Sequence, residues 1–426
     1  MTSRSNSDRQ QPSATRRQVL GTSAAGIAAL AMPAIARGAV PGVPVAVVVG
    51  LTGATAAWGG PVSDAARMVV AEINANGGIR SKGNATLDLI VADHQSKPEM
   101  AATLMQRVIS LQKVVCVIGN SYSGASMVGS KVAEAARTPM LSLDTADSLS
   151  QRGLQYFYRI GPRTGILAAA AVDFAAGAVK MFDTPPRKVA IMADDTTFSQ
   201  DSVKGLLANL PRTGWNVVDN ISYPGGGVAD FASMIQRLKV MGVDLVFQST
   251  FAPDGIQIVR AMKAVDFNPM AAVHVSGAPY TPDFRSALKA DANFVICSVG
   301  FVPELVKSNP SLSAFNAAYQ QRFNRPLDDQ ASQCVLAFGT LLDALERATD
   351  ISPEALQQAL KKTDLPLGAN RYINRDGVKF DEKGDNVRAS ALVMQLRDGA
   401  QRIVGPKAVA TTEVIWPMPK WSERKA

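Results

Sequence analysis

Histidine and cysteine are scarce in this 426-residue chain, which holds two of the first and three of the second. His94 and His274 stand far apart, and Cys116, Cys297 and Cys334 form an odd, widely spaced set without a C-x-x-C pair. These spacings exclude a Cys/His metal cluster and a dense disulfide framework, so no metal site is expected. Cys116 and Cys297 lie in apolar, strand-like runs, where a buried thiol is the expected state; a single disulfide in an exported chain stays open. No phosphate-loop or dinucleotide glycine pattern occurs, and no cofactor is expected. Charge is thin as well: the formal balance is +8, and no Lys/Arg cluster interleaves with aromatics, so nucleic acid is not an expected partner. Neither short repeats nor low-complexity tracts interrupt the chain after its N-terminal region.

That region has three parts. Residues 1–14 are polar, Thr15-Arg16-Arg17-Gln18-Val19-Leu20 is basic, and Gly21 to Ala36 is mildly apolar and ends in Ala34-Ile35-Ala36. A basic flank, an apolar middle and small residues at the end make a secretory signal. The paired arginines are similar to the twin-arginine export address. Residues 1–36 are therefore expected to be a twin-arginine-type signal peptide, cleaved after Ala36, and the mature chain to be periplasmic. Its removal takes four arginines and one aspartate and lowers the balance to about +5.

The remainder alternates strand and helix. Val43 to Leu51 reads as a strand, followed by a loop of small residues carrying Trp58 and a helix from Pro61 to Asn76. Thr86 to Asp93 is a second strand, and Asp93 at its end reads as a brace. Lys97 to Leu111 is a helix with Pro98 in its first turn. Val114 to Ile118 is a short β-branched run, buried on both faces by its composition. It breaks at Gly119 into Asn120-Ser121-Tyr122-Ser123, and Ser126 to Ala136 continues as a helix. Such a turn leaves free N–H groups at a helix start, and with serine hydroxyls beside them it suits a carboxylate. A strand near Pro139–Leu143 ends in Asp144-Thr145. A second round of the pattern follows, with a loop at Ala193–Ser199, a strand Val243 to Gln248 that ends at Ser249-Thr250-Phe251, and a strand Ala272 to Ser276 that ends in Gly277. Alternation of this kind predicts doubly wound parallel sheets, with ligands outside the carboxyl ends of the strands. Trp58, the Ser121–Ser123 turn and Asp144-Thr145 all fall at that edge.

Taken together, several stretches give the chain a family resemblance. They are Glu72-Ile73-Asn74-Ala75-Asn76-Gly77-Gly78-Ile79, Val91-Ala92-Asp93 with Lys97-Pro98, the Val117-Ile118-Gly119 turn, Ala193-Asp194 with Phe198, Ala229-Asp230-Phe231, and Phe380-Asp381-Glu382-Lys383-Gly384-Asp385. Over Val43 to about Leu396 the chain resembles the periplasmic substrate-binding proteins of ATP-driven (ABC) importers, in the Leu/Ile/Val-binding class with the type I fold. The resemblance implies an α/β architecture of two doubly wound parallel-sheet lobes joined by a three-segment hinge. Lobe 1 is expected at 43–192 with 300–387, and lobe 2 at 193–299 with 388–426. It also implies a non-enzymatic monomer that closes on a small carboxylate and delivers it to a membrane permease.

By position, Ser123 would hold the ligand carboxylate with its hydroxyl and N–H, assisted by Thr145; Ser121, on the same turn, is a further candidate ligand contact. Trp58 stands where a tyrosine usually covers the ligand, and Tyr122, Phe198 and Phe251 would line the cleft. One departure is chemical. The amino acid binders present an acidic residue from the second lobe to the ligand ammonium, and here that position holds Ser276. A buried ammonium without a carboxylate costs several kcal/mol. Either Asp144 supplies the charge from the first lobe, or the ligand has no ammonium; with so many aromatics nearby, an aromatic or apolar carboxylate is preferred over an amino acid. Two other readings remain. A sensor of the same fold would report closure to a membrane partner. A serine hydrolase would use Gly119-Asn120-Ser121-Tyr122-Ser123, which approaches G-x-S-x-G but ends in serine and has no histidine in a triad order.

Overall fold

The computed structural model describes residues 41–226, 230–373 and 376–424; the expected signal lies outside them, as does Ala229 of the matching stretches. The first sheet starts with the interior strand β1 (Val43–Val49), Val-Pro-Val-Ala-Val-Val-Val, covered on both faces as a parallel core strand must be. β2 (Leu87–Asp93) pairs on one side of it and β3 (Cys116–Asn120) on the other. β4 (Met140–Ser142) and β5 (Phe157–Arg159) complete a five-stranded parallel sheet in the order β2-β1-β3-β4-β5. Helices α1 (Ala56–Ala75), α2 (Pro98–Ser110) and α3 (Ser123–Ala135) are the crossovers.

The chain then leaves this sheet. α4 (Thr164–Phe182), β6 (Val189–Asp194), α5 (Thr197–Asn209), β7 (Val217–Tyr223), α6 (Phe231–Met241), β8 (Leu245–Ser249), α7 (Ala252–Ala264), β9 (Ala271–Val275), α8 (Pro282–Leu288) and β10 (Ile296–Val299) build a second one. It returns for α9 (Pro310–Phe323), α10 (Asp329–Arg347), α11 (Pro353–Lys361) and a small hairpin of β11 (Asp364–Leu365) and β12 (Val378–Lys379). It crosses again to add β13 (Leu392–Arg397) and β14 (Ala400–Gly405) as antiparallel edge strands. The second sheet runs β14-β13-β10-β9-β8-β6-β7.

Among the described residues the chain passes between the sheets three times. The second and third passages fall near 300 and 388. The first does not: the boundary expected after residue 192 cuts through β6, all of which belongs to the second sheet. α4 belongs there too, since Leu167, Ala168, Ala171 and Val172 share a core with Ile191, Phe247 and Val273. The passage therefore lies at 160–163. The strand–helix alternation runs through it without a break, so nothing periodic marks which sheet a helix covers.

Helix ends explain other shifts. α1 begins at Ala56, five residues before the expected start, and carries Pro61 inside it. Gly59 there lies so close to the Gly50 carbonyl that a Cβ would sit 2.0 Å from it, so the glycine serves close packing rather than a loop. Asp93 braces the preceding segment, its carboxylate accepting from the Leu51 and Gln95 N–H groups and the Thr52 hydroxyl. All three cysteines are buried and free, and burial pushes the Cys116 thiol up to about 12. His274 is buried without a hydrogen-bond partner among the described residues, and burial holds it down at about 3.

Candidate functional site

Two sheets face one another through the carboxyl ends of their strands, and a single small cavity lies there. It is lined by Trp58, Ser121, Tyr122, Ser123, Asp144, Thr145 and Gln330 from the first-sheet side, and by Phe198, Phe251, Ser276, Gly277 and Tyr280 from the second. All nine residues named from the sequence therefore meet in one place. The free space among them is small, about 20 Å³, little more than a single water requires.

The polar wall is built by β3 and α3. At the end of β3, Ser121 takes the left-handed conformation, φ 58°, an uncommon state for a residue with a Cβ and one that clusters at functional sites. Tyr122 is the N-cap of α3 and offers no side-chain cap. Ser123 is consequently the first residue inside the helix rather than its cap. The N–H groups of Ser123, Gly124 and Ala125 have no acceptor within the helix and sit at its positive end. Ser121 Oγ is buried and has no hydrogen-bond partner among the described residues. Thr145 joins this wall; its backbone carbonyl accepts from Thr164 N at 2.7 Å, which ties the loop to the first passage between sheets.

Asp144 lines the cavity, but its Oδ2 is occupied. It accepts from Asn120 N at 3.0 Å, from the Ser142 hydroxyl at 3.1 Å and from the Ser126 hydroxyl. Burial raises its carboxyl above the ordinary value, against the Ser126, Asn120 and Ser142 hydrogen bonds. Its observed task is to hold the β3–α3 turn. Behind it Arg159, 1% exposed, donates to the carbonyls of Asp144 and Ala146 at 2.9 and 2.8 Å and pairs with Asp385 at 2.8 Å.

The opposite wall is aromatic. Phe198 stands in the first turn of α5 and Phe251 at the N-cap of α7. Phe251 is the hub: its ring centroid lies 4.6 Å from Trp58, 5.9 Å from Tyr122 and 5.9 Å from Phe198. Tyr280 stacks on Trp58 at 6.1 Å. Trp58 reaches across from the first turn of α1, so the indole bridges both sides. Ser276, at the end of β9, repeats the left-handed backbone of Ser121 with φ 56°. Gly277 follows with φ 84°, and a Cβ there would lie 2.4 Å from the Thr250 carbonyl, so only glycine fits.

Sequence reasoning did not place Gln330, Gly277 or Tyr280 among the site residues. Gln330 is the second residue of α10, about 190 positions from the turn it joins, where its side chain donates to Leu143 O at 3.2 Å. No local pattern carries that contact. The histidines do not serve the serines. His94 Nδ1 accepts from Ser96 N at 3.1 Å, which leaves Nε2–H to donate to Asn120 O at 3.2 Å. Both ring nitrogens are thus committed to backbone, burial lowers the ring's pKa, and the base that the hydrolase reading needs is missing from this cavity.

Comparison with known proteins adds three findings. The sequence pattern described as "Periplasmic binding protein" matches residues 42–401. The Leu/Ile/Val-binding protein homolog 7 of Brucella melitensis is 28% identical over 364 residues, which cover 82% of this chain and 88% of that protein. Two solved structures share the fold. One is the branched-chain amino acid transporter substrate binding protein LivJ of Streptococcus pneumoniae, in complex with isoleucine (19% identity, TM-score 0.74, 88% of this chain and 100% of that one). The other is a solute binding protein of an ABC transporter from Rhodopseudomonas palustris, in complex with 3,4-dihydroxy benzoic acid (19% identity, TM-score 0.70, 84% and 94%).

Proposed function

Because the chain belongs to the periplasmic binding protein family, we propose that it is the extracytoplasmic solute-binding component of an ABC importer, of the type I, Leu/Ile/Val-binding class, and that its ligand is a small aromatic or apolar carboxylate without an ammonium group. The observation that carries this reading is the polarity of the cavity. Ser121, Ser123, Thr145 and the start of α3 offer donors to a carboxylate. Ser276 stands where an amino acid binder would present its acid, and the only carboxylate in the lining, Asp144, already accepts three hydrogen bonds. An ammonium there meets no acid from the second sheet and finds Asp144 Oδ2 already engaged, and an ammonium buried without a dedicated carboxylate costs several kcal/mol. Phe198, Phe251, Tyr280 and Trp58 supply flat apolar surface for the rest of the ligand.

The small free space means that the ligand is admitted by separation of the two walls and held by their closure, a hinge motion about the three passages between sheets. Ser123 holds the carboxylate; the lobes are the units built on the two sheets; export by the twin-arginine route and hand-over by a monomer to a membrane permease complete the proposal. Relatives with bound isoleucine and with bound dihydroxybenzoate make the ligand class a question for experiment.

A thermal-shift screen of the mature chain against branched-chain amino acids, their deaminated analogues and aromatic acids tests it. A rise in Tm with the acids that lack an ammonium is the expected result. A rise confined to leucine, isoleucine and valine would overturn the ammonium argument, and no rise with any carboxylate would overturn the binding reading itself.

A further inference from the structure

The indole N–H of Trp58 has no acceptor among the described residues, although Trp58 is only 6% exposed. An indole nitrogen is a donor only, and leaving it unpaired away from water costs the full desolvation of that donor. The chain satisfies its other buried indole: Trp416 donates to the Thr184 hydroxyl at 2.9 Å. Of the two half-buried ones, Trp421 donates to the Phe267 carbonyl at 2.8 Å and Trp215 is within reach of solvent. Trp58 is the exception, and it is the one in the cavity. Its surroundings are not those of the carboxylate wall: it packs in one cluster with Phe198, Phe251, Ala278 and Tyr280, on the side where the body of a ligand would lie.

Resting on the carboxylate reading above, we propose that the ligand carries a second oxygen acceptor on its body, a hydroxyl or oxo group, and that the Trp58 indole N–H reads it. The substrate class is then an oxygenated aromatic or apolar acid. A ring without that oxygen leaves the donor buried and unpaired, whereas a matched oxygen satisfies it. Trp58 acts in this way as a specificity-determining residue as well as a cover over the ligand. A phenylalanine in its place would keep aromatic contact with Phe251 and Tyr280 and lose the discrimination.

Calorimetric titration of matched acids tests the proposal: benzoate against 3- and 4-hydroxybenzoate, and 3-phenylpropionate against phenylpyruvate, on the native chain and on Trp58→Phe. The expected result is that at least one oxygenated acid binds the native chain about ten- to hundredfold tighter than its partner, and that the ratio falls to within about threefold in Trp58→Phe. Equal affinities within both sets on the native chain would overturn the proposal and leave the carboxylate reading standing. A preference that survives in Trp58→Phe would also overturn it, because another group would then read the oxygen. If Trp58→Phe does not fold, benzothienylalanine at position 58 replaces the N–H with sulfur in the same outline, and the same ratios decide. Absence of binding by every acid would overturn the underlying reading and this one with it.

Discussion

The Asp201 carboxylate accepts the backbone N–H of Ser148 at 2.8 Å, and the two residues stand on different sheets. Asp201 lies on α5, one turn beyond Phe198; Ser148 lies in the 3₁₀ turn Asp147–Arg152 that follows Asp144-Thr145. Burial alone would raise the Asp201 carboxyl, but hydrogen bonds from Lys204 and Ser148 hold it below the ordinary value. A charge-assisted bond that spans the sheets without touching the cavity lining favours the closed arrangement over an open one. Asp201→Ala is therefore expected to weaken every ligand by the same factor, about 1–2 kcal/mol. Titration of two chemically different ligands checks this, and a change in their affinity ratio would show that Asp201 acts on the ligand itself.

Ser123 is expected to carry the carboxylate. Ser123→Ala removes a hydroxyl but leaves the N–H groups of the α3 start in place, so binding should weaken by about 1–3 kcal/mol rather than vanish. The Tm of the ligand-free variant should stay near that of the native chain, since alanine suits the first turn of a helix. Fluorescence titration of the tryptophans measures the affinity, and an unchanged value would remove Ser123 from the site.

Asp194 gives a pH signature. It is fully buried at the end of β6, and burial pushes its carboxyl up to about 6, opposed chiefly by hydrogen bonds from Thr196. The folded chain then holds a proton that the unfolded chain, with its carboxyl near the ordinary 3.8, has released. Stability accordingly falls as pH rises from roughly 4 to 6. Asp328, also pushed up to about 6 by burial, adds a slope of the same sign. Asp194→Asn keeps the acceptor for Thr196 and should reduce the decline without abolishing it. Urea midpoints at pH 4.5 and 7.5 are the measurement, and an identical pH slope in the variant would contradict the assignment.

Arg159 should matter more to folding than to binding. Its guanidinium pairs with Asp385 and donates to the Asp144 and Ala146 carbonyls and the Ser150 hydroxyl. Arg159→Met strands the Asp385 carboxylate and three acceptors, an expected loss of about 3–5 kcal/mol. Arg159→Lys keeps the charge but not the planar fork, and should recover only part of it. Chemical denaturation reads both, and a variant as stable as the native chain would refute the argument.

The residues that met in the cavity were legible because each ends a strand or starts a helix, and the alternation of the two fixes which ends lie together. Ser121, Ser123, Thr145, Phe198, Phe251 and Ser276 all follow from that rule. Gln330 does not, because it arrives on a helix packed against α1 from far along the chain. The role of Asp144 was also hidden: its position gives no hint that the Ser126 and Ser142 hydroxyls and the Asn120 N–H converge on it. The misplaced passage at 160–163 has the same origin. Periodicity reports that α4 is apolar on one face, not which sheet receives it.

The three cysteines have a practical consequence. Each sits in the interior with its thiol intact, two on strands and one on α10, and burial raises the pKa of every one. No covalent cross-link supports either sheet, so the native state is the same under reducing and oxidising conditions. Folding is therefore expected to need no oxidant, and thiol reagents in a binding assay should leave ligand affinity unchanged.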